Sequence, residues 1–164
     1  TREYKQDHGE ALYRRSLYTY WKRTAPPPAF TTFDAPSREQ SCTRRERSNT
    51  PLQALLLMND VQHFEAARAF GERILEQGGS NVRGQIEWAF REATGRRPDN
   101  DELKILMNLH DKSLAEFKED PADAGKLLAI GDSTVPDHAK PAELAAMSNV
   151  ARTILNLHEV ITRD

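Results

Sequence analysis

Cysteine, aromatic residues and long apolar runs are all scarce in this sequence of 164 residues. The single cysteine, Cys42, excludes a disulfide within the chain and a cluster of thiolate metal ligands. No histidine is near it in the sequence to act as a base, so we interpret Cys42 as a small structural thiol. The longest apolar run, 54–58, is far shorter than the roughly 20 residues of a membrane-spanning helix. The sequence therefore predicts no membrane span.

Several motifs of catalysis and cofactor binding are also missing. The sequence has no HExxH pair, no GxSxG elbow, no phosphate-binding loop, no GxGxxG turn and no CxxCH haem attachment site. No two of its five histidines stand at metal-ligand spacing on one predicted helix. Many carboxylates fall at predicted helix starts, where capping explains them. We therefore predict no catalytic residue and no metal ligand, and a hydrolase is the least supported function.

The net charge of −2 hides an asymmetry between the two parts of the chain. Residues 1–50 hold ten Lys and Arg against six Asp and Glu, whereas 51–164 hold thirteen against nineteen. We expect a single domain over 1–164, with a basic helix and loop in 1–49 and an acidic helical bundle in 50–164. The basic part predicts either docking onto acidic protein surface or a patch for another anionic partner.

Apolar residues recur with the helical period along most of the chain, and no window alternates as a strand does. We predict an all-α fold, an irregular bundle of about seven helices. They are expected over 10–23, 51–58, 61–77, 81–94, 99–119, 121–130 and 141–161. The pattern Thr50, Pro51 and Gln53 predicts a capped helix start, and the apolar run behind it predicts a buried central helix. The prolines at 26–28 are expected to end the first helix, so 24–49 is predicted to be a long ordered loop rich in Pro and Arg.

The first third of the chain interleaves arginines with aromatic residues, a pattern found in proteins that stack rings and hold anions. The candidate binding residues are Arg14, Arg15, Tyr18, Trp21, Phe33, Arg44, Arg45 and Arg47. The structural alternative is that the arginines tie the loop to acidic helices while the aromatics pin it to the core. Nucleic acid is disfavoured as a partner, because the chain is not basic as a whole.

An ordered series of short motifs resembles one known domain. They are LYRRSLYT at 12–19, WKR at 21–23, TAPPP at 24–28, FDAP at 33–36, Cys42, RERSNTPLQALLLMN at 45–59 and NVARTILNLHEVI at 149–161. Together they resemble the domain of unknown function at the C-terminal end of planctomycete cytochrome-c-like multidomain proteins. The first 60 residues carry most of this resemblance, because 78–140 reads as generic helical sequence.

The resemblance implies a parent protein that is exported and therefore extracytoplasmic. It also implies that haem is bound by other domains of that parent, with no cofactor in this chain. Since the chain begins without Met, we expect it to be a piece of a longer protein. The expected role is a non-catalytic structural or interaction module whose partners are other domains of the same protein. The alternative is a module that binds an anionic polysaccharide through the arginine–aromatic residues.

Overall fold

A computed structural model of the chain describes residues 7–22, 25–37, 39–44, 48–136 and 139–162. All regular structure in these ranges is helical, which confirms the all-α prediction. The chain divides into two compact units, Thr1–Leu57 and Met58–Asp164. The expectation of a single domain over 1–164 stays a prediction.

The first unit is built from short elements. Two 3-10 helices, Gly9–Tyr13 and Ser16–Tyr18, precede α1 (Pro28–Thr32), and α2 (Pro51–Asn59) begins near the end of the unit. The start of α2 confirms the predicted capping pattern. The Gln53 N–H donates to Thr50 Oγ1 at 3.3 Å, and the Thr50 N–H donates to Gln53 Oε1 at 3.1 Å. These reciprocal bonds satisfy backbone donors that the first helical turn leaves without partners.

The predicted helix over 10–23 is wrong. Its residues form the two 3-10 turns instead, and the backbone is extended at Arg14 and Thr19. An isolated α-helix of this length is marginal in water unless its apolar face is buried. Here the face is not buried, since Leu17 and Tyr20 are 75% and 82% exposed. The helical spacing of the apolar residues therefore predicted an α-helix in a segment whose apolar face is not buried.

Two further predictions about the first unit need correction. The three prolines do more than end a helix, because Pro28 occupies the first turn of α1, where a missing N–H is tolerated. The loop predicted over 24–49 thus contains a short helix. In α2, Leu52 and Leu55 are 60% and 59% exposed, so α2 is not the fully buried helix that its apolar run predicted.

The second unit contains six α-helices in its described residues. They are α3 (Val61–Gln77), α4 (Val82–Thr94), α5 (Asn100–Glu119), α6 (Pro121–Leu128), α7 (Pro141–Leu155) and α8 (His158–Ile161). Asp60, Asn81, Asp99 and Asp120 cap α3 to α6 with their side chains, and Asp99 forms the predicted capping box with Glu102. The last predicted helix, 141–161, is wrong in extent, because the chain leaves the helix after Leu155 and α8 is a separate turn.

Helix α7 is the centre of the second unit, and it packs most extensively on α3 and then on α5. Its core-facing residues, including Leu144, Met147 and Ile154, are fully buried. The approach to α3 is close: a Cβ atom added at Gly71 would lie 3.1 Å from Ser148 Oγ and 3.2 Å from its backbone nitrogen. Two small residues therefore set the distance between α3 and α7.

A buried ion pair on α3 holds the connection between α6 and α7. Arg68 and Glu65 are 1% and 3% exposed. Arg68 donates to the carbonyl oxygens of Leu128 and Ser133 and to the Ser133 hydroxyl, while Glu65 accepts the Ser133 N–H. We call this arrangement the Glu65–Arg68 clasp. It supplies a donor to a carbonyl at the C-terminal end of α6, which has no partner within the helix.

Gly131 allows the connection between α6 and α7 to pass close to Glu65, and a substitution at this position tests the clasp. Its φ is +103°, and an added Cβ would lie 2.8 Å from Glu65 Cδ. We expect Gly131→Ala to lower the free energy of unfolding by about 1–3 kcal/mol, through backbone strain and displacement of Glu65. Urea unfolding followed by circular dichroism measures this change.

The matched control is Gly125→Ala in α6, where an added Cβ meets nothing within 4 Å. We expect this variant to gain about 0.5–1 kcal/mol, since alanine is the better helix former. Equal effects of the two substitutions would show that the clasp does not constrain the connection.

Candidate functional site

Exposed apolar side chains are concentrated in the segment that forms the two 3-10 turns. Tyr13, Leu17, Tyr18 and Tyr20 are 53%, 75%, 68% and 82% exposed. We call these four residues the tyrosine strip. Neither 3-10 turn buries a residue. The strip is therefore a surface feature, whereas side chains of this size are more often at least partly buried.

Arg14 and Arg15 lie between the two turns and are exposed, so the structure places two of the predicted binding arginines within the tyrosine strip. Arg44 is also exposed, and its carbonyl oxygen accepts a hydrogen bond from Cys42 Sγ at 3.1 Å. The predicted sites Arg45 and Arg47 lie outside the described residues. The strip thus combines exposed aromatic rings with adjacent positive charge.

Trp21 and Phe33 belong to a different environment from Tyr18. Trp21 is half-buried and stacks on Phe30, with ring centroids 5.2 Å apart and an interplanar angle of 22°. Phe33 is half-buried at the C-terminal end of α1. The Trp21 ring therefore packs on another ring of the same unit, and Phe33 is partly covered. Of the three predicted aromatic binding residues, Tyr18 is the one that the structure leaves mainly exposed.

Sequence reasoning missed a hydrogen-bonded clasp that closes the chain between α1 and α2. The Asp34 carboxylate accepts the Ser48 N–H at 2.8 Å and the Ser48 hydroxyl at 2.6 Å. The buried Gln53 amide donates to the Thr32 carbonyl at 2.9 Å and to Ser48 Oγ at 3.0 Å. We call this the Asp34 clasp. It ties the two ends of the segment 32–53 together, so the first turn of α2 is held beside the end of α1.

Asp34 also adopts a backbone conformation that few residues other than glycine tolerate, with φ at +55°. Aspartate and asparagine are the common exceptions. The signal that could have found the clasp is the pair of motifs FDAP and RSNTPLQ, which contribute Asp34 on one side and Ser48 and Gln53 on the other. Their contact over 14 residues is not deducible from spacing alone.

The strongest electrostatic arrangement in the second unit joins the start of α5 to α8. Arg96 donates to both Glu102 oxygens at 2.8 and 2.6 Å and to the Glu159 oxygens at 3.0 and 2.7 Å. The Arg96 hydrogen bond, with that of the Asp99 N–H, lowers the pKa of Glu102 from 4.5 to about 2. The two carboxylates in turn raise the pKa of Arg96. Its guanidinium also lies 4.7 Å from the Phe90 ring centroid.

Two histidines contact carboxylates, which bears on the hydrolase alternative. His63 lies 3.0 Å from Asp60, which also caps α3, and the buried His110 lies 3.0 Å from the exposed Asp111. Both contacts join near neighbours in the sequence. Within the described ranges, no group of three or more His, Cys, Asp or Glu side chains is arranged to hold a metal ion. No helix in the part of the chain that the structure describes is long and apolar enough to cross a membrane.

Comparison with protein families identifies the chain. The family model described as PSD1, a protein of unknown function (DUF1553), matches residues 1–110. The chain belongs to the PSD1 family. No curated protein and no solved structure matches it. The resemblance found in the sequence is thereby confirmed at the level of a family of unknown function.

The family match covers the tyrosine strip and the Asp34 clasp, together with α3, α4 and half of α5. The motifs at 12–59 all lie inside the matched residues, whereas the motif at 149–161 lies outside them. The matched residues therefore include the whole first unit and the second unit as far as residue 110.

The Asp34 clasp predicts a local effect of Asp34→Asn. Asparagine tolerates the positive φ, so the backbone is unchanged while the ionised acceptor is lost. Because hydrogen bonds to charged groups contribute about 1.5–3 kcal/mol, we expect exchange of the Ser48 amide hydrogen to accelerate by about 10-fold or more. Hydrogen exchange followed by NMR measures the rate. Glu10→Gln, an exposed substitution in the same unit, is the control and should leave that rate unchanged. Unaltered exchange in Asp34→Asn would disprove the clasp.

The depressed pKa of Glu102 predicts a dependence of stability on pH. A carboxylate with a lower pKa in the folded state contributes stability above its unfolded value of 4.5, and the contribution disappears as pH falls through about 2. We expect the stability difference between the wild type and Glu102→Gln to be constant above pH ~5.5 and to shrink between 4.5 and 2. Glu116→Gln, which removes an exposed carboxylate from the same helix, is the control. A pH-independent difference for Glu102→Gln would contradict the role of Arg96.

Proposed function

We propose that this chain is a protein-interaction module that docks onto an acidic protein surface through the tyrosine strip, Arg14 and Arg15. The observation that carries the proposal is the exposure of the strip. Its four side chains are between 53% and 82% exposed. Four large exposed apolar side chains within eight consecutive residues are characteristic of an interaction site.

Burial of the strip would release substantial free energy. Complete burial of a large apolar side chain contributes about 1.5–3 kcal/mol, and tyrosine adds a hydroxyl group that can hydrogen-bond across an interface. Tyrosine and arginine are also the residue types most enriched among the anchors of protein interfaces. The strip places Tyr18 and Tyr20 in the same exposed segment as Arg14 and Arg15.

The positive charge of residues 1–50 favours a partner with an acidic surface. Residues 1–50 carry an excess of positive charge, and Arg14, Arg15 and Arg44 are exposed. An acidic surface would be attracted over a Debye length of about 10 Å at 0.1 M salt. Such complementarity mainly raises the association rate and selects the partner, while the aromatic anchors provide affinity. A docking reaction of this kind is weakened by salt but not abolished.

The finer placement of this module rests on the motif resemblance. We propose that it belongs to an exported, extracytoplasmic planctomycete protein of the cytochrome-c-like multidomain type, near its C-terminal end. The partner surface is then another domain of the same protein. In that arrangement haem is bound by the partner domain, and this chain contributes assembly rather than a cofactor site.

An anionic glycan is the weaker occupant of the strip. Recognition of a sugar or a base by stacking requires an open ring face, and the Trp21 ring stacks on Phe30. Nucleic acid is disfavoured by the net charge of −2. The tyrosines are better suited to a protein interface, where their edges and hydroxyl groups also make contacts.

The test is a calorimetric titration of this chain against the remainder of its parent protein, at low and at physiological salt. We expect the double variant Tyr18→Ser/Tyr20→Ser to weaken binding at least ~10-fold, through the lost apolar burial. We expect Arg14→Gln/Arg15→Gln to weaken it less and to reduce its salt dependence.

The control is Ile105→Ser, since Ile105 is 66% exposed on α5 and lies outside the strip. It should bind as the wild type does. Equal binding by the tyrosine variant and the wild type would overturn the proposal, as would an equal loss in Ile105→Ser. If a sulfated glycan binds the chain and the parent domains do not, the glycan alternative replaces it.

A further inference from the structure

A groove of about 290 Å³ lies beside α4 in the second unit. It is lined by Gly78, Gly84, Glu87, Trp88, Arg91 and Arg97. These residues come from the turn before α4, from α4 itself and from the connection after it. The volume is near the lower end of the range for small-molecule sites, which suits a ligand with one ring.

Two arginines of the groove have no carboxylate partner among the described residues. Arg91 and Arg97 are exposed and make no ion pair there, whereas the neighbouring Arg83 and Arg96 are bound to glutamates. The contrast matters because the unit as a whole is acidic. The groove therefore presents two positive charges without a carboxylate partner among the described residues, on a unit with a net negative charge, which favours an anionic ligand.

Trp88 gives the groove a fixed flat wall. It is half-buried against the core of the unit. The Phe70 ring packs 6.2 Å from it, tilted by 37°, and the Arg73 guanidinium lies 5.9 Å from its ring centroid. An indole held in this way loses little side-chain entropy when a ligand binds, so it can serve as a preorganised apolar surface.

Glu87 and the two glycines complete the lining. One Glu87 oxygen accepts from Arg83 Nε at 2.9 Å, and this arginine neutralises its charge. The other oxygen can accept a hydrogen bond from a ligand hydroxyl. At Gly78 an added Cβ would lie 2.6 Å from the Ile74 carbonyl oxygen and 2.7 Å from Gln85 Cα, so a side chain there would not fit. Glycine is therefore required where the turn packs against the start of α4.

We infer that this groove binds an acidic sugar, a pyranose ring that bears a carboxylate. The carboxylate pairs with Arg91 and Arg97, the apolar C–H face of the ring lies on Trp88, and a hydroxyl donates to Glu87. A phosphate ion would pair with the two arginines but would leave the Trp88 ring and Glu87 unused. A simple carboxylate such as acetate would leave Trp88 and Glu87 unused. The inference is independent of the tyrosine strip, which lies in the other unit.

The experiment follows the two tryptophan indole N–H signals by NMR during titration with sodium glucuronate. The chain has two tryptophans, so Trp21 is an internal reference, and Trp88→Phe assigns the other signal by its loss. We expect the Trp88 signal to shift and saturate with a millimolar Kd while the Trp21 signal stays in place. Glucose, which lacks the charge, and acetate, which lacks the ring, should bind at least ~10-fold more weakly.

Arg91→Gln and Arg97→Gln should each weaken glucuronate binding by about 10-fold, since each removes one charge-assisted hydrogen bond. Lys104→Gln, an exposed cation on α5 outside the groove, is the matched control and should bind as the wild type does. Unchanged NMR spectra away from the groove show that the variants are folded.

Three results would overturn the inference: no shift of Trp88 up to ~50 mM glucuronate, equal binding of acetate or glucose, or tighter binding of inorganic phosphate. The first would mean that the groove is not a site for this class of ligand. The second would mean that the groove binds anions or sugars in general and does not recognise an acidic sugar. The third would assign it to phosphate compounds.

Discussion

The burial of a carboxylate and a guanidinium at Glu65 and Arg68 constrains how the helical unit closes. Both side chains are almost fully removed from solvent, and a buried charge without partners would cost several kcal/mol. The connection after α6 supplies those partners through its own backbone, with carbonyl oxygens for the arginine and an N–H for the glutamate. The pair therefore ties the end of α6 and the connection that returns to α7 onto α3. Gly131 is part of the same constraint, because any side chain there would displace Glu65.

The position of α7 depends on the path of the connection that follows α6. The helix begins at Pro141 and is buried on most of its surface, with small residues such as Ala145, Ala146 and Ser148 among its core positions. Small residues allow close approach to α3 at Gly71, and the resulting rigid unit holds α4 in place. A groove built on such a helix can keep Trp88 and its arginines in fixed positions, which an irregular segment cannot do.

The sequence predicted most of the helical unit and little of the first unit, and the reason is physical. Helix starts such as Thr50 and Asp99 carry local capping signals, and α3 to α6 show a one-sided apolar period, so short-range rules suffice. The segment 10–23 has the same period but no core opposite it, and period cannot show that absence. The Glu65–Arg68 clasp joins residues more than 60 positions apart, so Gly131-Asp132-Ser133 read as an ordinary loop. The structure leaves Arg14, Arg15 and Tyr18 exposed and Trp21 and Phe33 half-buried, while the binding role of these residues stays a prediction.

The contrast between the two units explains why the proposed docking surface lies on the less regular one. The strip lies on and beside two 3-10 turns that bury none of their residues, so its exposed side chains lose rotamer freedom when a partner covers them. The Asp34 clasp orders a different segment of the same unit, because it fixes the ends of 32–53 with charge-assisted bonds and a buried amide. In the first unit the sequence encodes the turns, the Asp34 clasp and the exposed side chains individually, without a long amphipathic helix. In the helical unit many sequences satisfy the same packing pattern, so capping signals and the apolar period predict its helices, and the family match extends into this unit as far as residue 110.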